Sequence, residues 1–332
     1  MLTDLDEAGL WQYRSTYKPP ADFDEFWQQT LSQAAEIPLD VRITPVETPL
    51  RTIDVYDVTF AGYAAHPIRA WLRLPRLPPA PTPHSLPGIV QFHGYGSGRG
   101  HALDDLLWAS AGYAHLLMDA RGQGGGYAGG DTGDPVGSPG PTQPGFLTRG
   151  IETPETYYYR RVFIDAVRAV QVLRGHAQVD PTRVAVVGAS QGAGIALAVT
   201  GLIPDLVAAL YAQAPFLSDI RRATRITDAA PYHELAAYLA THRTAAERVF
   251  QTLAYFDAVA FAARAATTTP AWFSAGLMDG VCPPSTAFGA YHAYAGPKHI
   301  CLWEYNGHDA GGPEDQAAVL SAFQPLLQEK KI

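Results

Sequence analysis

Cysteine is nearly absent, with Cys282 and Cys301 the two thiols in 332 residues. Two cannot build a disulfide framework in a chain this long, and their spacing matches no zinc or redox motif. Both read as buried thiols. Excess positive charge is missing too. Lys plus Arg number 24 against 32 Asp plus Glu, a balance of −8, the wrong sign for following a phosphate backbone or an anionic membrane surface. No run is long and apolar enough to span a bilayer, and the acidic start Met1-Leu-Thr-Asp-Leu-Asp-Glu7 lacks the basic-then-apolar order of a secretory signal. These absences point to a cytoplasmic protein whose partners are neither nucleic acid nor membrane. Nucleotide loops are lacking as well: Gly94-Tyr-Gly-Ser-Gly98-Arg-Gly100 does not have Gly-x-Gly-x-x-Gly spacing, and no loop ends in Gly-Lys-Ser or Gly-Lys-Thr. The eleven histidines include no His-Glu-x-x-His, and His233-Glu234 runs on into Leu-Ala-Ala. No metal site is expected.

What is present is a composition for packing, 47% hydrophobic and 17% charged, enough to build a sizeable core. The length suits one large α/β domain over 1–332 carrying insertions. Asp22-Phe-Asp-Glu25 has capping-box spacing, and Phe23, Phe26, Trp27 and Leu31 recur at helical intervals, which predicts a helix over about 22–36 within an N-terminal extension of about 1–50. Ile53–Phe60 and His66–Leu74 read as antiparallel strands, and the six prolines of Pro75–Pro87 as a surface loop. Beyond it, strands predicted at Ile89–His93 and Tyr113–Met118 flank a helix at Leu103–Ala111, the alternation of a parallel sheet. Residues 122–154 are rich in Gly and Pro and read as a loop insertion. A helix from Tyr159 to Leu173, a turn at Asp180-Pro181 and a strand at Val184–Val187 follow, then a mostly helical insertion over 219–267 broken near Pro231. Ala271–Ala275 and Ile300–Glu304 read as strands and Ala317–Leu327 as a closing helix.

Gly188-Ala-Ser190-Gln-Gly192 sits directly between an apolar strand and the helix-forming Ile195–Val199. That context suits a nucleophile elbow, in which flanking glycines permit a sharp turn and the helix N-terminus favours developing negative charge. The same serine would also serve as an ordinary helix N-cap. A serine nucleophile needs a base, and the base a carboxylate, in the order Ser, Asp or Glu, His. Asp279 and His308 fit, each on a loop past a strand end. A turn aspartate before Gly280 and a surface histidine are the alternatives. For the two oxyanion donors, Gln191 follows the serine and Tyr95 lies in the glycine-rich loop after an early strand. Arg121, among glycines, reads as a structural brace to a carboxylate.

Taken together, Arg121-Gly-Gln-Gly124, Gly188-Ala-Ser190-Gln-Gly192, Gly276-Leu-Met-Asp279-Gly-Val-Cys-Pro-Pro-Ser285 and Asn306-Gly-His308-Asp309 resemble the acetyl xylan esterase / cephalosporin-C deacetylase family, carbohydrate esterase family 7. Phe216–Arg222 and Tyr255-Phe-Asp257 extend the likeness over nearly the whole chain. The resemblance implies an α/β-hydrolase fold, a mostly parallel sheet flanked by helices with the N-terminal helix and antiparallel strands added. It implies serine catalysis without metal or other cofactor, with Ser190 as nucleophile, Asp279 as orienting acid, His308 as base, and Tyr95 and Gln191 as oxyanion donors. Trp108 and Pro231 are placed by it near the acetyl pocket. Its substrates would be acetylated xylo-oligosaccharides, other small acetylated sugars and cephalosporin C, and its assembly a homo-hexamer. The family usually has Glu where this chain has Asp309 and Gly where it has Ala193. A broad short-chain carboxylesterase, an acylaminoacyl-type peptidase and a noncatalytic binding member of the fold are the rival readings.

Overall fold

Nine strands form one sheet in a computed structural model that describes residues 2–77 and 82–327. They are β1 (Arg42–Val46), β2 (Ile53–Ala61), β3 (Pro67–Pro75), β4 (Leu86–Phe92), β5 (Ala114–Met118), β6 (Val179–Ala189), β7 (Leu210–Gln213), β8 (Ala271–Gly276) and β9 (Lys298–Trp303). Their order is β1-β2-β3-β5-β4-β6-β7-β8-β9. The pairs β1–β2, β2–β3 and β3–β5 are antiparallel, and every pair from β5 onward is parallel. The helices are α1 (Glu7–Gln12), α2 (Phe23–Ala35), α3 (Leu107–Ser110), α4 (Tyr158–Arg174), α5 (Gln191–Leu202), α6 (Ile220–Ile226), α7 (Tyr232–Thr241), α8 (Ala246–Leu253), α9 (Ala258–Ala262), α10 (Pro284–Ala293) and α11 (Gly312–Leu327). None of the described helices is long and apolar enough to cross a membrane.

Side chains alternate across a strand, so β4 and β6 feed two cores at once. Val90, Phe92, Val184 and Val186 join the larger cluster with residues of α4 and α5, whereas Ile89, Ala185 and Val187 join a smaller one with Tyr113, Val319 and Phe323. Burial on both faces is what makes such strands read as apolar runs. The site therefore rests on a sheet sandwiched between helices, with the strand order reversing around β4. Loops at the carboxyl ends of strands beside such a reversal form a natural crevice.

Several elements differ from expectation. Asp22 makes no side-chain cap bond to α2; its carboxylate instead accepts from the Tyr255 hydroxyl at 2.6 Å. Arg168 of α4 finishes that helix from outside, donating to the carbonyls of Ala34, Ile37 and Pro38. The expected proline loop is narrower, for Pro75 closes β3 and Pro87 lies in β4, while 78–81 fall outside the described residues. The helix expected over Leu103–Ala111 shrinks to α3 because Asp104 accepts from His101 N–H at 2.8 Å and Asp105 adopts a positive φ of 50°. Asp180-Pro181 falls inside the irregular start of β6 rather than in a turn before it. Cys282 is buried as expected, but Cys301 is half-exposed on β9.

The glycine-rich stretch after Arg121 is irregular yet firmly tied. The Asp119 carboxylate collects the N–H groups of Arg99, Asp131 and Thr132 at 2.6–3.0 Å. Gly98 and Gly100 donate to Ala128 and Gly129 carbonyls, and Gly126 donates back to Gly96. The loop after β4 and the long loop after β5 thus fold as one unit.

Candidate active site

Ser190 stands between β6 and α5 with φ 55° and ψ −119°. A non-glycine residue there is strained, and the surroundings must hold it. Its N–H donates to Gln213 O at 2.9 Å, and its carbonyl accepts from Phe216 N–H at 3.0 Å as well as from Ala193 and Gly194. The flanking glycines are required by contact. A Cβ on Gly192 would lie 2.0 Å from Phe92 O, and one on Gly188 would lie 2.2 Å from the Gly192 carbonyl carbon. The elbow is therefore pressed against the end of β4.

Asp279, buried on the loop after β8, accepts the N–H groups of Val281 and Cys282 at Oδ1 (2.8 and 2.9 Å) and faces His308 Nδ1 with Oδ2 at 2.9 Å. A carboxylate can only accept, so Nδ1 carries the proton and Nε2 is left as a free acceptor. His308 is about one-third exposed, Asp279 almost not at all (32% and 1%). Ser190 is not hydrogen-bonded to His308; its side chain lies by the Cys282 thiol, three residues along from Asp279. Such contacts are often loose in a site without substrate and tighten on binding. Burial pushes the Cys282 thiol well above its usual range, against a smaller opposing effect of Ser190. It stays a thiol, not a competing thiolate.

Tyr95 and Gln191 lie on the loop after β4 and the first turn of α5. Neither main-chain N–H has an acceptor among the described residues, as an oxyanion site requires. Their frame includes a residue that the sequence showed only inside a motif: Gln123. Its amide Oε1 accepts from Gly96 N–H at 2.8 Å, and its Nε2 donates to Gln191 Oε1 at 2.8 Å, so one side chain ties both donor segments. Tyr159 also donates to Gln191 Oε1 at 2.7 Å. His93 accepts from Ala120 N–H at Nε2 and bonds Gly94 O through Nδ1. Burial lowers its pKa, which suits that neutral role.

Arg121 is the expected brace. Its guanidinium grips Asp165 through two bonds of 2.6 and 2.8 Å, lies 3.6 Å from Asp134 and touches His66. Pro231 precedes α7, whose Glu234 contacts Tyr95, so that helix approaches the site. Trp108 is not gathered with these groups. Its ring packs on Phe323 and Tyr113 in the smaller core and makes no ring contact or hydrogen bond with Ser190, Tyr95, Asp279 or His308. The side chain belongs to the α3–α11 packing and lines a small cavity of about 100 Å³ with Gln213 and with Val187, Gly188 and Ala189 of the strand that leads to Ser190. Asp309 offers its carbonyl to Gln213 while its carboxylate is exposed, and Ala193 is wholly buried. A cavity of about 860 Å³ between the Tyr13–Pro20 segment, α6 and α8 contains none of the residues named for chemistry. Among the described residues, no group of three His, Cys, Asp or Glu side chains is arranged to hold a metal ion.

A sequence model of the acetyl xylan esterase (AXE1) family matches residues 1–324. Acetyl esterase Axe7A of Xylanibacter ruminicola is 27% identical over 298 residues, 88% of this chain, which spans 64% of that relative's length. The acetyl xylan esterase of Paenibacillus sp. R4 superposes with a TM-score of 0.88 at 35% identity, over 97% of this chain and 99% of that one. Acetyl xylan esterase 1 of Thermoanaerobacterium sp. JW/SL YS485 gives 0.86 at 30% identity, over 98% and 100%.

Proposed function

The chain belongs to the acetyl xylan esterase family, and from that premise we propose that it removes acetyl groups from xylo-oligosaccharides, other small acetylated sugars and cephalosporin C through an acetyl-serine intermediate. The observation that carries the reading is the His308–Asp279 hydrogen bond at 2.9 Å, on a loop whose Cys282 reaches the strained Ser190. His308 Nε2 takes the Ser190 proton as Oγ attacks the acetyl carbonyl, and Asp279 steadies the imidazolium. The N–H groups of Tyr95 and Gln191 receive the oxyanion. His308 then gives that proton to the departing sugar oxygen, which leaves as a hydroxyl; a water deprotonated by the same nitrogen attacks the acetyl carbon, and the proton returns to Ser190 Oγ as acetate leaves.

Acyl length separates this reading from a broad carboxylesterase. The Tyr95 ring is wedged edge-on between Phe146 and Phe216, with centroids 5.5 and 5.7 Å away, and Pro231 opens the neighbouring helix. A wall so packed yields little. Overfilling a rigid pocket costs about 1–3 kcal/mol, so butyrate is expected to react roughly tenfold or more slowly than acetate. A p-nitrophenyl ester series checks this: octanoate turned over as well as acetate, by kcat/KM, would discard the deacetylase reading. Acetylated xylobiose against a peptide anilide then tests the leaving group.

We also propose that the chain works as a closed oligomer, six copies by the family resemblance. Among the described residues, β1 ends the sheet with an unpaired edge and an exposed Ile43, a surface that a second copy would protect. Light scattering at micromolar concentration should return a mass several times 35.8 kDa; a monomer refutes it.

A further inference from the structure

Glu234 takes no part in the chemistry derived above, yet it is drawn to the residue that carries one oxyanion donor. Tyr95 Oη donates to Glu234 Oε2 at 2.7 Å and accepts from Phe146 N–H at 2.7 Å and Leu147 N–H at 3.0 Å. A phenol has one proton to give and two lone pairs to fill, so this hydroxyl is saturated. Leu147 N–H also leans on Glu234 Oε2 at 3.3 Å. Three segments distant in sequence, the loop after β4, the long loop after β5 and α7, meet at one oxygen.

The main chain at Tyr95 has little stiffness of its own. Gly94 and Gly96 flank it, the latter at φ 76°, and glycine restricts the backbone least of all residues. Gln123 and Gly126 hold Gly96, and His93 and Ser97 hold Gly94; between those ties the direction of Tyr95 N–H is set with the help of its own side chain, held at the ring by Phe146 and Phe216 and at the tip by Glu234. Phe216 in turn donates its N–H to Ser190 O, so the clamp is anchored to the elbow. We propose that Glu234 is a positioning residue, which holds the Tyr95 phenol and through it aims the Tyr95 N–H at the developing oxyanion. The proposal rests on the reading of Tyr95 as an oxyanion donor. Glu234 is half-buried, and burial raises its pKa with the Tyr95 bond opposing.

The test compares wild type, Glu234→Ala, Glu234→Gln and Tyr95→Phe of the full chain on p-nitrophenyl acetate, with inhibition by a trifluoromethyl ketone whose hemiketal places an oxyanion in the same position. Removing an oxyanion donor outright costs about 10²–10³ in kcat, so misaiming one is expected to cost roughly 10–100-fold. Glu234→Ala and Tyr95→Phe should each lose that much in kcat, with KM within about threefold and ketone affinity falling in step with kcat/KM. Glu234→Gln keeps an acceptor for the phenol and should stay within about threefold of wild type. Wild-type kcat in Glu234→Ala or Tyr95→Phe, unchanged ketone affinity in a slowed variant, or Glu234→Gln as slow as Glu234→Ala each overturn the proposal. If Glu234→Ala does not fold, Tyr95→Phe and Glu234→Gln decide alone. Ser190→Ala separates the two readings: activity surviving there refutes the serine mechanism itself, whereas a dead Ser190→Ala beside a fast Tyr95→Phe refutes only the clamp.

Discussion

Replacing Ser190 with alanine is expected to cut acetyl-ester turnover by roughly 10⁵–10⁶-fold while leaving the fold intact, since nucleophile and base act as one unit and losing either removes almost all that the pair supplies. Alanine keeps the Cβ, so the strained turn at φ 55° is asked to accommodate nothing new. The bonds that hold it are main-chain ones to Gln213, Phe216, Ala193 and Gly194, and they survive the change. Among the described residues, the nucleophilic side chain that lies by Ser190 is the Cys282 thiol, and burial keeps it protonated. It cannot take over. Steady-state rates on p-nitrophenyl acetate and a thermal melt check the two halves; a variant with more than about one-thousandth of wild-type kcat would remove Ser190 from the mechanism.

Arg121→Ala is expected to produce the largest loss of stability, about 3–5 kcal/mol, because it strands buried carboxylates. Asp165 would lose both guanidinium bonds and keep only Tyr63 N–H at 2.8 Å. Asp134 would be left to Arg161 at 2.9 Å and a more distant Arg149. Burial opposes the charge on Arg121, but Asp165 and Asp134 outweigh it and the guanidinium pKa is raised. Asp134 shows the converse, with burial outweighed by Arg161 and Arg121 and its pKa lowered. A carboxylate lowered in the folded state contributes stability that is complete above its unfolded pKa of about 4 and fades as pH falls through the folded one. Thermal melts should show a midpoint drop on the order of 5–10 °C at neutral pH, with a smaller gap in acid. A variant that melts with wild type at neutral pH would mean that Arg121 carries no structural load.

That Asp279 and His308 would meet was legible because each follows a short apolar strand, a local signal. Glu234 was not, since its partner Tyr95 is 139 residues away and the neighbouring His233 invited only a test for metal spacing. β7 escaped notice for a different reason: four residues, Leu210–Gln213, are too few to show a period. The helix at Leu103–Ala111 was overread because Asp104 turned back on His101, a choice that apolar spacing cannot display. The packing of Trp108 on Phe323 was not legible, because it depends on how α11 folds back across the sheet. Cys301 shows the limit of composition, for a thiol on β9, a strand at the sheet's edge, can be half open to solvent.

The absent Cβ of Gly192 determines what this site can tolerate. Because that α-carbon touches the last carbonyl of β4, the separation between the attacking oxygen and the loop that receives negative charge is a ruler made of main chain alone. Any larger residue at position 192 would wedge β4 from the elbow and move the attacking oxygen and the receiving loop apart together.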